Sequence, residues 1–421
     1  MIQNELDRRL LDESALRLLL EKLTHKHRGT HRWWSSPVVK NTELARLMIH
    51  DSQFMNFILK TMRLDNTHFH PFKKIIIKQE SKDREIYIQN WVDKIIQIRI
   101  QEIISEVLDP IISKNVYSFK IGRGPVHAVE AFLKFAKDYK KDIFVLQLDI
   151  SKYGDNIDQN ILLSMINSNL DLQNNPIFSS HILKTLNFTV LDNLEIKKGQ
   201  GIATGSPLVP LFENFYLLPV DKTIESSKPL FYCRYGDDMV LAYESREQLE
   251  RNLQTVTKNI QDLKLSIHPE KIKITHLTGE SCFEWLGYKL TGKKQTEPKD
   301  IHEARIKKEL RNEIHKHFFF LKQINQIAPG SEELTKSLEA LEKKIYLKYA
   351  NRFIYFYTSD SKAKSLDTFR INETHKAICK NFRFDKKEAW ALLRKLKRKS
   401  ANQSRMHFLR KKQWPKVPLS S

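Results

Sequence analysis

A chain of 421 residues can hold two to four compact units and a sizeable core, and its apolar share of 41 % separates it from disordered chains. The 71 Lys+Arg against 50 Asp+Glu leave a net charge of +21, a field that favours a polyanionic partner because cations at phosphates release condensed counterions. No run of about 18 apolar residues is present, which argues against a spanning helix, and the opening MIQNELDRRLLDES lacks the apolar stretch of a secretion signal. Three scattered cysteines, Cys233, Cys282 and Cys379, have no paired spacing and are expected as reduced core thiols rather than disulfides or a zinc site. Together these features predict a cytoplasmic protein that binds nucleic acid and no membrane.

From about Leu6 to Leu64 the pattern is mainly helical, with breaks near Gly29 and Pro37. The stretch HKHRGTHRWW, residues 25–34, holds His25, His27 and His31 without a further ligand nearby. Packing of Trp33 and Trp34 is the first reading there, RNA contact with Arg28 and Arg32 the second, and zinc the last. Two β-rich runs, KKIIIK and REIYIQ, then flank the polar turn QESKD between Phe72 and Tyr87, a hairpin pattern. Residues 88–113 and 125–140 carry apolar positions at helical spacing, after which strand and helix alternate.

The run Phe144–Leu148 reads as a buried strand ending at Asp149, where a carboxylate sits exposed beside a rigid sheet. Asp158 suits the N-cap of the helix beginning ILLSMI. In GQGIATGSPLVPLFENFYLL, residues 199–218, the glycines let backbone approach a ligand, and Ser206 with Pro207 predicts a helix start. Leu208, Leu211, Phe212 and Phe215 fall on one face of that helix. In PLFYCRYGDDMVLAYES, residues 229–245, two strand-like runs flank Gly236-Asp237-Asp238, a hairpin with two carboxylates at its tip. Buried negative charge is costly, and the cost disappears if the pair meets Asp149 around Mg²⁺, a hard ion that takes oxygen ligands.

Beyond about Ile301 the pattern is helical almost to the end, apart from APGSEE near Pro329 and TSDSK near Asp360. Residues 376–416 hold fifteen Lys+Arg against Asp385 and Glu388, more than half the excess charge, with Phe382, Phe384, Trp390, Phe408 and Trp414 among them. Cations on phosphates with aromatics under bases would make a nucleic-acid grip; a solvated helix face with a frayed tail is the plainer alternative.

In this order, FVLQLDISKY, QGIATGSPLVPLFEN, YGDD and FEWLGYKL resemble motifs A, B, C and E of reverse transcriptases, over about residues 72–290. Viral RNA-dependent RNA polymerases share GDD but carry a different motif B, so the GSPL turn favours DNA synthesis. The resemblance implies an α+β right-hand polymerase with a helical N-terminal region (1–64), fingers (65–140), a palm with the catalytic motifs (141–290) and a helical thumb with a basic C-terminal region (291–421). It implies an RNA-directed DNA polymerase that joins dNTPs into nascent DNA on an RNA template, using two Mg²⁺ ions or Mn²⁺ in their place.

Carried over residue by residue, Asp149, Ile150, Asp237 and Asp238 would form the metal set. Lys78 and Arg84 resemble the basic pair that holds the incoming triphosphate, and Gln200 and Gly201 would line the nucleotide and template pocket. Lys271, in LSIHPEKIKI, sits where the family places a lysine able to protonate leaving pyrophosphate; an exposed loop lysine is the alternative. Phe283 to Leu290 would form the primer grip, and Tyr117 to Arg123 resembles a template-contacting segment. The family usually has an aromatic five residues after the first aspartate, where it blocks a ribose 2′-OH. Here Gly154 stands there with Tyr153 one place earlier, so either Tyr153 takes the gate role or discrimination is relaxed.

No HNH-type nuclease, integrase or RNase H pattern accompanies these motifs. A compact palm with a basic helical C-terminus resembles the stand-alone bacterial enzymes of the abortive-infection and defence-associated groups, which commonly act against phage and often copy a dedicated non-coding RNA. A retron-type enzyme is the nearest alternative. A catalytically silent RNA-binding protein and a basic membrane-surface scaffold are the other classes, disfavoured by the three intact aspartates and by the glycine motifs. Priming mode and oligomeric state are not fixed by these residues.

Overall fold

The computed structural model describes residues 4–26, 50–63, 69–77, 84–120, 122–139, 141–191, 199–279, 281–291, 296–298, 300–323, 331–345, 360–382 and 384–396. Lys78, the QESKD turn, residues 27–34 of the histidine-tryptophan stretch and the tail after Leu396 lie outside them, as does the Arg84 side chain.

The chain divides into two compact units. The first comprises Met1–Ala128 and Phe144–Ile274. It opens with helices α1 (Glu5–Leu10), α2 (Glu13–Lys26) and α3 (Ser52–Arg63). Strands β1 (Lys73–Ile77) and β2 (Arg84–Ile88) pair antiparallel with Ile77 opposite Arg84, as the alternating pattern predicts. Helix α4 (Trp91–Leu108) is capped by Asn90, whose side chain accepts from Val92 N–H. Its Ile95, Ile96, Ile100, Ile103 and Ile104 recur at helical spacing and are buried, which fixes the face turned to the core.

The palm sheet has the strand order β4-β5-β3-β6, built from β3 (Ile143–Leu148), β4 (Phe231–Tyr235), β5 (Asp238–Tyr243) and β6 (Lys273–Leu277). Strand β5 lies between β4 and β3 and is antiparallel to both. Covered on both faces, it buries Met239 through Tyr243 without a break, hence the continuous apolar run. The further helices up to Asp262 are α5 (Pro125–Tyr139), most of which belongs to the second unit, the single turn α6 (Tyr153–Asn156), α7 (Gln159–Asn167), α8 (Pro176–Leu186), α9 (Val209–Tyr216), α10 (Leu218–Ser226) and α11 (Arg246–Asp262).

The second unit comprises Val129–Ile143 and Thr275–Val417. Strands β7 (Cys282–Trp285), β8 (Tyr288–Thr291) and β9 (Thr296–Pro298) form an antiparallel meander. Its β7–β8 turn uses Leu286 and Gly287 at φ +47° and +88°. Phe283 is buried with its ring edge-on to Phe132, centroids 5.1 Å apart. Helices α12 (Asp300–Gln323), α13 (Glu332–Ile345), α14 (Asp360–Phe382) and α15 (Lys386–Lys395) follow. Ile306, Leu310, Ile314 and Phe318 make one stripe of α12, buried with Leu334, Leu338 and Leu341 of α13 and Ile378 of α14. Asp385 opens α15 with a capping box to Glu388. Of the cysteines, Cys233 is buried, Cys379 half-buried and Cys282 exposed, all unpaired, so the expectation of core thiols fails at Cys282.

Candidate active site

The site is made where β3 stops and the β4–β5 hairpin turns. Leu148 lies opposite Met239 in the sheet register, so one step further brings Asp149 level with Asp238. Tyr235 pairs with Asp238 across a two-residue turn of Gly236 and Asp237. Gly236 adopts φ +67°, and no atom would crowd a Cβ there, so the glycine serves the backbone conformation alone. The two chain segments that carry the motifs thus deliver their carboxylates to one place.

Electrostatics follow from that placement. Burial, with the negative charges of Asp237 and Asp149 nearby, pushes the Asp238 carboxyl up to about 7. Lys271 works against this rise. Its ammonium donates to Oδ2 of Asp149 at 2.6 Å from a single 3₁₀ turn, Pro269–Lys271. Ile150 is buried and bridged to Ile267. That bridge is closed by Ser151 N–H to the Ser266 carbonyl and His268 N–H to the Asp149 carbonyl. The carbonyl of Ile150 itself is therefore not used by the bridge.

Among the described residues no group of three or more His, Cys, Asp and Glu forms a ready-made metal cage. The donors nevertheless fit a hard divalent cation in kind. They are carboxylate oxygens whose mutual repulsion shows in the raised Asp238, with a positive lysine already drawn to Asp149.

The glycine-rich segment forms the adjoining wall. Gly201, at φ +82°, approaches so closely that a Cβ would lie 3.0 Å from the Asp155 carbonyl. Gly205, at φ +112°, would place one 2.7 Å from the Tyr87 carbonyl of β2, against which this segment packs. Gln200 is exposed, and its amide donates to Oδ1 of Asn156 at 3.2 Å. The helix starts later than expected, at Val209 with Pro210 in its first turn. The Ser206 hydroxyl caps the preceding turn instead, accepting from Leu208 N–H at 3.2 Å and donating to Gln97 at 2.6 Å. Asp158 is the N-cap of α7 as expected, accepting from Asn160 and Ile161 N–H.

Tyr153 opens the single turn α6. It is 5 % exposed, and its hydroxyl donates to the main-chain carbonyl of Glu213 at 2.5 Å. That bond holds the ring against α9.

Two sets of residues escaped the sequence reading. Gln159 is buried and pins the glycine segment, donating to the Gly201 carbonyl and accepting from Gly199 N–H. Arg234, wholly buried, is forked onto Asp221 at 2.7 and 2.6 Å. It also donates to the Gly236 carbonyl in the β4–β5 turn at 3.1 Å and to the Asn214 carbonyl at 3.0 Å. Tyr232 donates to the same Asp221 carboxylate at 2.5 Å. A charged residue inside an apolar strand was the available signal, since a buried charge needs a partner.

The template-like segment is strapped to the same strand. Val116 bridges Arg234, and Tyr117 N–H donates to the Arg234 carbonyl at 2.9 Å. Arg123 holds the carbonyls of Lys114 and Val116 and lies over the Tyr117 ring.

Residues 76–290 match the family described as reverse transcriptase (RNA-dependent DNA polymerase). The group II intron-encoded protein LtrA of Lactococcus lactis subsp. cremoris is 28 % identical over 173 residues, 40 % of this chain. The chain spans only 28 % of the length of that relative. Among solved structures, a telomerase from Candida albicans in complex with a fragment of telomeric RNA is similar at a TM-score of 0.44 and 10 % identity, covering 79 % of this chain and 65 % of that one. Because the family match takes in half of its length, the chain belongs to the reverse transcriptase (RNA-dependent DNA polymerase) family.

Proposed function

We propose that the chain synthesises DNA from dNTPs on an RNA template by two-metal nucleotidyl transfer. The observation that carries this reading is the register that sets Asp149 beside Asp238, with Asp237 in the turn between β4 and β5. In the reaction a primer 3′-oxygen attacks the α-phosphorus, the bond to the β-phosphate oxygen breaks, the hydroxyl proton is lost and pyrophosphate leaves. Two divalent ions, when bound, stabilise the attacking and leaving oxygens. Asp149, Asp237, Asp238 and the Ile150 carbonyl would hold them. Lys271, with its ammonium already at the carboxylate cluster, would supply the proton taken up by pyrophosphate. Gln200 and Gly201 would line the nucleotide, and Lys78 and Arg84, by the sequence resemblance, would receive the triphosphate.

Within this reading the template is a dedicated non-coding RNA and the role is antiviral defence in a bacterial cytoplasm. Both rest on the sequence resemblance to stand-alone defence enzymes. The first test is incorporation of dNTPs on a primed RNA. Asp237→Ala with Asp238→Ala should abolish it while the fold is kept, since positioning cannot replace the lost ligands. Incorporation at the wild-type level would refute the assignment. Sequencing the RNA and DNA that co-purify with the chain, with phage plating on cells carrying either form, tests the template and the role.

A further inference from the structure

Gly154 leaves a gap in the wall of the site, and the side chain of Glu213 fills it. A Cβ on Gly154 would meet Oε1 of Glu213 at 3.3 Å and Cγ1 of Ile202 at 4.0 Å. Gly154 does not have a left-handed φ, so backbone conformation does not demand the glycine. The residue's effect is on space, and the carboxyl of Glu213 is what the space contains.

The backbone on both sides of that carboxyl is fixed. Glu213 stands on α9 between Phe212 and Asn214, both buried, and its main-chain carbonyl accepts the Tyr153 hydroxyl. The facing backbone is tied as well, because Ile202 N–H donates to the Gly154 carbonyl at 3.0 Å and Gly201 N–H to the Ile157 carbonyl at 2.8 Å. Burial, with the charge of Asp237 in the same direction and Arg234 against it, pushes the carboxyl up to about 7.

In a nucleotide whose phosphates lay at Asp149 and Asp237, the 5′-oxygen and C5′ would carry the sugar toward the adjoining wall, where residues 154 and 157 meet residues 201 and 202. Ribose and deoxyribose differ there by a single hydroxyl. We infer that Glu213 is the sugar-reading residue of this site, its carboxyl standing where a side chain at position 154 would stand and excluding a 2′-OH by volume. The inference rests on the polymerase reading above and adds the residue that sets its substrate specificity.

The test uses the full-length chain on one primed RNA template, with kcat/KM measured for dGTP and GTP. Glu213→Ala empties the space and should cut the deoxy-to-ribo ratio by about tenfold, which corresponds to ~1.4 kcal/mol of transition-state discrimination. Glu213→Asp withdraws the carboxyl by one methylene and should give a smaller cut in the same direction; it also serves if the alanine variant fails to fold. Glu213→Gln keeps the volume and should keep the ratio, as should Tyr153→Phe, which removes only the hydroxyl behind the carbonyl. A ratio unmoved in both shortened variants overturns the inference, and so does a glutamine variant that shifts as far as alanine. A wild-type chain that incorporates neither nucleotide overturns the polymerase reading itself, and this inference with it.

Discussion

The ammonium of Lys271 lies 2.6 Å from Oδ2 of Asp149, at the place where a divalent cation would be needed. The lysine is half exposed, so the pair adds little to stability. It does set up a competition, because an arriving ion must take the carboxylate from it. Lys271→Met should lower the Mg²⁺ concentration for half-maximal incorporation by up to about fivefold, the factor for a surface pair worth ~1 kcal/mol. If Lys271 protonates the leaving pyrophosphate as proposed, kcat should fall as well. A Mg²⁺ titration of the two proteins measures both, and an unchanged midpoint would show that the lysine does not compete.

Arg234 and Asp221 are both fully buried, so removing either strands a charge. Asp221→Ala should cost about 3–5 kcal/mol of stability, read as a large fall in Tm. Replacing both, Arg234→Met with Asp221→Leu, should recover most of that stability. Incorporation should still be lost, because the Gly236 carbonyl no longer has its guanidinium donor. An active double variant would free the turn from dependence on Arg234.

Asp238 gives the metal-free protein a pH dependence of known sign. Its carboxyl is pushed up to about 7 from an ordinary value of 3.8. Between about 4 and 7 the folded chain therefore holds a proton that the unfolded chain has released, and this group's contribution falls as pH rises. Glu130 and Glu213, also pushed up to about 7 by burial, share this sign, while His181, pushed down to about 4 by burial, has the opposite one, so the wild-type curve alone mixes them. The readout is the difference between wild type and Asp238→Asn in urea unfolding with EDTA. The variant's relative stability should grow from pH 5 to pH 8, and a flat difference would mean that Asp238 titrates normally.

The basic C-terminal helices cannot simply be cut away. Truncation before Lys376 would remove Ile378, Ala389, Leu392 and Leu393 from the buried core of the second unit. The exposed cations Lys380, Lys386, Lys387 and Arg394 can be changed to Gln together without touching that core. If all four meet phosphate, the slope of log K against log salt for single-stranded RNA should fall by about 3, at roughly 0.7 per contact. An unchanged slope would leave these charges as helix solvation.

The parts of the fold legible in the residue order were those decided locally. The β4–β5 hairpin, the strand ending at Asp149 and the Asp158 cap each depend on a few adjacent residue types, and the expected α+β right-hand class agrees with the family match. The start of α9 was misread because Ser206 and Pro207 look like a cap and first turn, while the partner of that hydroxyl, Gln97, lies on a distant helix. The orientation of Tyr153 was illegible for a similar reason. Nothing beside it in the chain says which way a ring will turn, and the acceptor that decides it belongs to Glu213. Asp221 likewise is distant enough from the β4–β5 turn in meaning, though not in sequence, to read as an ordinary helix acid.

The antiparallel pairing of β3 with β5 also governs the order in which the molecule matures. Phe144 faces Tyr243, so motif A is joined to motif C across a loop that contains all of motif B. The β4–β5 hairpin closes over two residues and can form within microseconds. Docking β3 against it must wait for the much larger loop to close, and such non-local contacts are slow. During synthesis, Asp149 leaves the ribosome well before its carboxylate partners exist. A nascent chain thus carries Asp149 for a time without Asp237 and Asp238, and the three carboxylates come together only once β3 has docked on the β4–β5 hairpin.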